Sequence, residues 1–164
     1  MNAPPIGVQP MNDTIHSETE QAQAMPLTLD QSNQIIAAAL RHSNDAGYKP
    51  MAVIVIDDAG NLKSAQRQDG ASMFRVDIAT GKAWASVAMG AASRVLTQRA
   101  KDLPAFFSAL ASTGNGKFIP QTGAVLIKDA QGNVIGAAGA SGGTGDEDEA
   151  ICIAGVQAAG LQTG

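Results

Sequence analysis

The stretch from Ala140 to Gly155, ASGGTGDEDEAICIAG, contains the residue types of three kinds of site. Glycine-rich loops hold phosphates, clustered carboxylates hold calcium, and a cysteine can act as a nucleophile. A phosphate loop needs a Lys-Ser/Thr pair after its last glycine, whereas here four acids follow Gly145 and would repel a phosphate. The acids also lack the alternating spacing and terminal glutamate of an EF-hand. The spacing therefore argues against both a phosphate and a calcium site.

The same stretch has the pattern of a helix start. Thr144 and Glu147 stand three residues apart, as in a capping box, and acids are stabilised at the positive end of the helix dipole. Cys152 falls inside this helix between two isoleucines, which predicts a buried structural thiol rather than a nucleophile. With only His16 and His42 in the chain, neither a Ser-His-Asp triad nor a three-histidine metal site has enough members. The sequence therefore assigns no metal site and leaves the catalytic residues unknown.

Three other polar residues have two interpretations each. His42 lies late in the first predicted helix, where it either caps the helix end as a cation or ligates a haem iron. Arg67 either pairs with Asp69 on the surface or, together with Lys82, faces a cleft and binds carboxylates or haem propionates. Spacing alone leaves both alternatives open.

Composition excludes several classes of protein. The chain has 164 residues, a formal net charge of −4 and 16% charged residues, and its basic residues form no stripe, which argues against nucleic-acid binding. No apolar run approaches the roughly 18 residues that span a bilayer, and the first residues do not resemble a signal peptide. We therefore expect a cytoplasmic protein without membrane or nucleic-acid partners. A single cysteine excludes an internal disulfide, and a core of small residues favours a homo-oligomer.

The order of predicted elements indicates an α+β fold. Residues 1–26 predict a flexible tail and residues 27–164 a single domain. A helix capped at Thr28 comes first, and the last helix runs from Thr144 to about Leu161. Two apolar segments followed by Asp-x-x-Gly-Asn turns predict two hairpins, with helices between them. The order helix-hairpin-helices-hairpin-helix predicts an antiparallel sheet of four or five strands flanked by helices. Gly81 inside a helical segment predicts close packing there.

Three segments resemble the GlcG/HbpS family over roughly residues 28–162: VIVIDDAGNLKSAQRQDGA, DIATGKAWAS and VIGAAGASGGTGDEDEAICIAGVQAAG. The matching motif residues are Gly136, Gly139, Ser141, Gly142, Thr144, Asp148 and Glu149, together with Arg67, Asp69, Gly70 and Ala71. The chain departs from the family in the polar segment KSAQRQDG and in its long N-terminal stretch. The family includes haem-binding members and the C-terminal domain of PduO-type proteins. The resemblance implies a profilin-like fold and assembly into dimers up to octamers.

The resemblance also implies a site. In some members a histidine on or near the first helix binds haem, which makes His42 the candidate haem ligand. Ser141 and Thr144 of the motif, with Arg67 and Lys82, are the candidate ligand-binding residues. Three functions follow: a small-molecule-binding accessory protein with haem as candidate cofactor, an enzyme of hydrolase, isomerase or lyase type, or a purely structural oligomer. The enzyme would act on a small carboxylated intermediate of a catabolic pathway, with Arg67 and Lys82 as anion clamps.

Overall fold

The computed structural model describes residues 25–164. The predicted tail lies outside these residues except for its last two positions, and His16 lies outside them as well. The elements in chain order are α1 (Leu29–Asp45), β1 (Ala52–Asp57), β2 (Leu62–Arg67), α2 (Phe74–Met89), α3 (Ser93–Asp102), α4 (Pro104–Thr113), β3 (Ala124–Lys128), β4 (Val134–Ser141), α5 (Gly145–Ala158) and β5 (Gln162–Thr163).

The five strands form one antiparallel sheet in the order β2-β1-β4-β3-β5. The hairpins β1–β2 and β3–β4 occur where the turn residues predict them, with Gly60 and Gly132 at φ of 81° and 84°. β4 lies between β1 and β3, so it joins the two hairpins into one sheet. The predicted α+β class and element order are confirmed.

Helices cover both faces of the sheet. Val53 and Val55 of β1 belong to the core cluster that contains residues of α1 and α5, whereas Ile54 and Ile56 pack in the cluster with Ala79 of α2. Alternate residues of a strand point to opposite faces, so two covered faces explain the continuous apolar run of this strand. The sheet therefore separates α2, which packs on one of its faces, from α1 and α5, which pack on the other.

Small residues let α2 approach its neighbours closely. A Cβ added at Gly81 would lie 2.6 Å from the Ile119 side chain, and one at Gly139 of β4 would lie 2.4 Å from the Ala79 carbonyl oxygen. The close packing predicted at Gly81 is confirmed. Helix α5 ends at Ala158, earlier than predicted, because Gly160 adopts a φ of 75° and starts the turn into β5. Within residues 25–164, no helix has the length and apolar character needed to cross a membrane.

Candidate functional site

A buried ion pair lies where β4 meets α5. The Lys82 ammonium of α2 donates to the Asp148 carboxylate at 2.8 Å and to the Ala140 carbonyl oxygen at 3.1 Å. The second Asp148 oxygen accepts the Gly143 N–H at 3.0 Å. Lys82 is 5% exposed and Asp148 2% exposed, so each charge depends on the other for compensation. The ion pair ties α2, the end of β4 and the first turn of α5 together.

The other three of the four consecutive acids, Asp146, Glu147 and Glu149, also have structural partners. Thr144 caps α5: its hydroxyl accepts the Glu147 N–H at 3.2 Å, and the Glu147 carboxylate accepts the Thr144 N–H at 2.8 Å. Asp146 and Glu149 both pair with Arg94 of α3. The predicted capping box is confirmed, and all four acids are engaged in holding α5 in place.

Three adjoining cavities meet at Arg75, in the first turn of α2. Their volumes are about 390, 450 and 240 Å³. We call them together the Arg75 groove. It is lined by Gly47, Tyr48, Lys49, Pro50, Gly70, Ala71, Ser72, Arg75, Ile78, Lys82, Gln121, Thr122, Ser141, Gly142, Gly143, Thr144, Gly145, Asp146, Glu147 and Asp148.

Arg75 is the half-buried cation of this groove. The guanidinium is half-buried, and its Nη1 lies 3.4 Å from the Ser141 hydroxyl oxygen, a long hydrogen bond. None of the carboxylates in residues 25–164 forms an ion pair with it. A guanidinium has five N–H donors in a planar fork that matches a carboxylate, so most of its binding capacity is available.

The structure brings some of the predicted site residues together. Lys82, Ser141 and Thr144 line the same cavity of about 390 Å³. Arg67 lines a separate cavity of about 490 Å³ on the side of α1 and β2, where its guanidinium donates to the Ala71 carbonyl oxygen. Arg67 forms no ion pair with Asp69 within the described chain. The two predicted anion clamps therefore face different cavities.

His42 lies beside the groove rather than in it. Its imidazole is exposed in the last turn of α1, the position expected of a helix-capping cation. The imidazole centroid is 6.4 Å from the ring centroid of Tyr48, which lines the groove. The described cavities have no histidine in their walls.

Cys152 is buried in α5, as predicted. Its Sγ lies 3.6 Å from the Gly123 carbonyl oxygen, to which the thiol donates. Burial, reinforced by the nearby Asp148 charge, raises the pKa of this thiol far above its ordinary value of 9.0. Cys152 is therefore a protonated core residue at neutral pH.

Sequence reasoning missed Arg75. One signal was present, because an arginine in the first turn of a helix opposes the positive end of the helix dipole, where acids are preferred. The other evidence comes from β4, whose Ser141 is 66 positions away along the chain. Only the tertiary structure places that hydroxyl beside the guanidinium.

Comparison with known proteins places this geometry in a family. The family model described as "Haem degrading protein HbpS-like" matches residues 27–157. The PduO corrinoid adenosyltransferase of Citrobacter freundii is 26% identical over 149 residues, 91% of this chain. The chain spans only 44% of the length of that curated relative.

Solved structures agree with this assignment. The PduOC:heme complex is 26% identical, with a TM-score of 0.76 over 85% of this chain and 99% of its own. A double mutant of Streptomyces reticuli HbpS is 25% identical, with a TM-score of 0.71 over 96% of this chain and 97% of its own. The resemblance inferred from the motifs is confirmed. This chain belongs to the HbpS-like family.

Proposed function

We propose that this chain is a small-molecule-binding accessory protein that uses the Arg75 groove. The observation that carries the proposal is the meeting of three cavities at a half-buried arginine that has no acidic partner within residues 25–164. Small-molecule sites are concave and contain a few polar groups that fix the ligand's orientation. The similarity to the PduOC:heme complex supports haem as the candidate cofactor.

The residues near the groove fit haem as a surface-bound group. Haem needs an axial ligand such as an imidazole, and its propionates pair with cations. His42 supplies an exposed imidazole next to Tyr48, and Lys49 and Arg75 are cations in the wall that Tyr48 shares. When bound, haem would supply iron chemistry. His42 would hold the haem through its imidazole, while Lys49 and Arg75 would orient the haem propionates.

Hemin titration of the full chain tests the haem proposal. We expect a Soret band whose position and intensity change in His42→Ala, because the variant lacks the imidazole. His16→Ala is the matched control, since His16 is the other histidine of the chain. A band that survives His42→Ala and disappears in His16→Ala would reject His42 as the ligand.

An enzyme of hydrolase, isomerase or lyase type, acting on a small carboxylated intermediate, is the second candidate function. It is supported by the cavity that Arg75 shares with the Lys82–Asp148 ion pair. Lys82 gives two of its three N–H donors to protein acceptors, which leaves one for a ligand. Incubation with small acids followed by NMR detection of products would test this function. Turnover that is retained in Lys82→Met would exclude a catalytic role of that lysine.

We further propose that the chain is cytoplasmic and assembles into homo-oligomers, from dimer to octamer. Large apolar side chains on the surface support assembly, because such groups often mark interfaces. Met73 is 83% exposed and Phe74 62% exposed at the start of α2. Met73 occupies the N-cap, where a serine or aspartate would serve the helix better. Sedimentation velocity tests assembly: a 16.7 kDa monomer at every concentration would contradict it.

A further inference from the structure

We infer that the Arg75 groove recognises a small organic monocarboxylate that also carries hydroxyl or carbonyl oxygens. The inference rests on the proposed small-molecule function and names the class of ligand for the same groove. It replaces the two clamps expected from the sequence, Arg67 and Lys82, with Arg75 as the residue that binds the carboxylate.

The guanidinium of Arg75 has few hydrogen-bond partners in the described chain. Arg75 is half-buried, and within residues 25–164 its guanidinium forms one side-chain hydrogen bond, to Ser141, which is 3.4 Å long. Arginine binds carboxylates through two parallel N–H···O bonds, which are about twice as strong as neutral hydrogen bonds. Ser141 is 1% exposed and holds the guanidinium from the strand side. Most N–H donors of the Arg75 guanidinium therefore remain available to a ligand in the groove.

The charged residues that line the Arg75 groove determine which anion it can accept. Asp148 compensates the charge of Lys82, whereas Arg94 is shared between Asp146 and Glu149. Three cations and three acids line the walls, so the groove is neutral overall: Lys49, Arg75, Lys82, Asp146, Glu147 and Asp148. One carboxylate would compensate the half-buried Arg75, which has no acidic partner within residues 25–164, whereas a phosphate dianion would bring a second negative charge close to the Glu147 carboxylate. The groove therefore favours one carboxylate over a phosphate.

The cavity that contains Ser141 is lined mostly by polar residues. Ile78 alone is aliphatic among the residues lining it. Gln121 contributes an exposed amide, and Thr122, whose hydroxyl is hydrogen-bonded to the Thr97 hydroxyl at 3.1 Å, also lines this cavity. An alkyl chain would leave the Gln121 amide without a partner, which is unfavourable in a partly desolvated site. Hydroxyl or carbonyl oxygens on the ligand would satisfy that amide.

Isothermal titration of the full chain with matched probes tests the inference. Lactate and propionate differ by one hydroxyl, lactate and lactamide differ by the charge, and inorganic phosphate tests for a dianion. We expect lactate to bind at least about 10-fold more tightly than lactamide or phosphate, and more tightly than propionate. A tenfold change corresponds to about 1.4 kcal/mol. Equal affinity for lactate and lactamide, or tighter binding of phosphate, would overturn the inference.

Variants then assign the site. Arg75→Gln should weaken lactate binding at least about 10-fold, and Arg75→Lys should restore only part of it, because lysine keeps the charge but loses the fork. Arg99→Gln is the matched control, since Arg99 is exposed in α3 and lines none of the described cavities. Circular dichroism of each variant shows whether it is folded. Lactate binding that is unchanged in a folded Arg75→Gln or Arg75→Lys variant would assign the ligand to another site.

The failure of this inference is distinguishable from the failure of the proposed function. If no small carboxylate binds while hemin still gives a band that depends on His42, the inference is wrong and the small-molecule function stands. If lactate binds through Arg75 and hemin does not bind, haem is rejected as the cofactor and the carboxylate site stands.

Discussion

Replacing Asp148 by asparagine should destabilise the fold strongly, because it removes the charge that compensates Lys82. The two groups are 2.8 Å apart and almost fully buried. At an effective dielectric constant of about 20, two unit charges at this separation attract by roughly 6 kcal/mol before desolvation is subtracted. Removing one partner of a buried pair typically costs about 3–5 kcal/mol, since the remaining charge stays buried without compensation. We expect Asp148→Asn to lower the free energy of unfolding by about this amount.

Urea unfolding of a double-mutant cycle measures the effect. Lys82→Met alone leaves a buried carboxylate and should also cost about 3–5 kcal/mol. The double variant Lys82→Met/Asp148→Asn should recover most of the loss, because no charge remains buried there. The asparagine side-chain oxygen can still accept the Gly143 N–H, so the hydrogen bond to the β4–α5 junction is retained.

Arg94→Ala is the matched control. Arg94 also pairs with acids of α5, but its side chain is 54% exposed, and exposed pairs contribute about 1 kcal/mol or less. The reasoning is refuted if Asp148→Asn costs no more than Arg94→Ala. It is also refuted if the two substitutions at the buried pair are additive, since additivity means that the charges do not depend on each other.

Three further predictions concern stability and reactivity. Gly123→Ala should cost about 1–3 kcal/mol more than Gly116→Ala in thermal unfolding, since both have positive φ but only the Cβ at Gly123 would meet the buried ion pair, 2.6 Å from its ammonium nitrogen. The Asn133 amide, with nearby backbone N–H groups, holds the pKa of Asp129 below its ordinary value of 3.8. The stabilisation by the Asp129 carboxylate is therefore fully present above pH 3.8 and is lost as the pH falls through the lowered pKa. Asp129→Asn should lower the Tm at neutral pH and have a smaller effect once the pH falls below that lowered pKa. The Cys152 thiol should resist a thiol reagent in the folded protein and react once urea unfolds it; equal rates would contradict its burial.

Local chemistry explains why most of the fold could be predicted. Both capping boxes depend on residues three positions apart, and both hairpin turns on residues within a few positions, so the sequence pattern contains the whole interaction. The sequence of β1 does not show which residues point to which face, because both faces are covered and the strand is apolar from Ala52 to Ile56. The end of α5 was predicted too late, since Leu161 packs against the core although it lies beyond the helix.

The candidate site was less predictable because its contacts are long-range. Lys82 meets Asp148, and Arg75 meets Ser141, each across 66 positions. Helical spacing places Arg75 and Lys82 near one face of α2, but it does not show which of them meets an acid. That difference decides their chemistry. Asp148 compensates the charge of Lys82, whereas Arg75 has no acidic partner within residues 25–164 and can pair with an anionic ligand.

Glu147, in the capping box of α5, contributes a negative charge to the wall of the Arg75 groove. Glu147 is the acid of the groove that has no cationic partner in the described chain, and its carboxylate accepts the Thr144 N–H. Glu147→Gln should keep the cap, because glutamine also serves at this position of a capping box. The groove then gains one net positive charge, so we expect the affinity for phosphate to rise relative to lactate while the Tm changes little. Titration of both anions measures this ratio, with Asp102→Asn as the control because Asp102 lies in α3 and lines none of the described cavities. An unchanged ratio in Glu147→Gln would show that the charge of the groove does not set its selectivity.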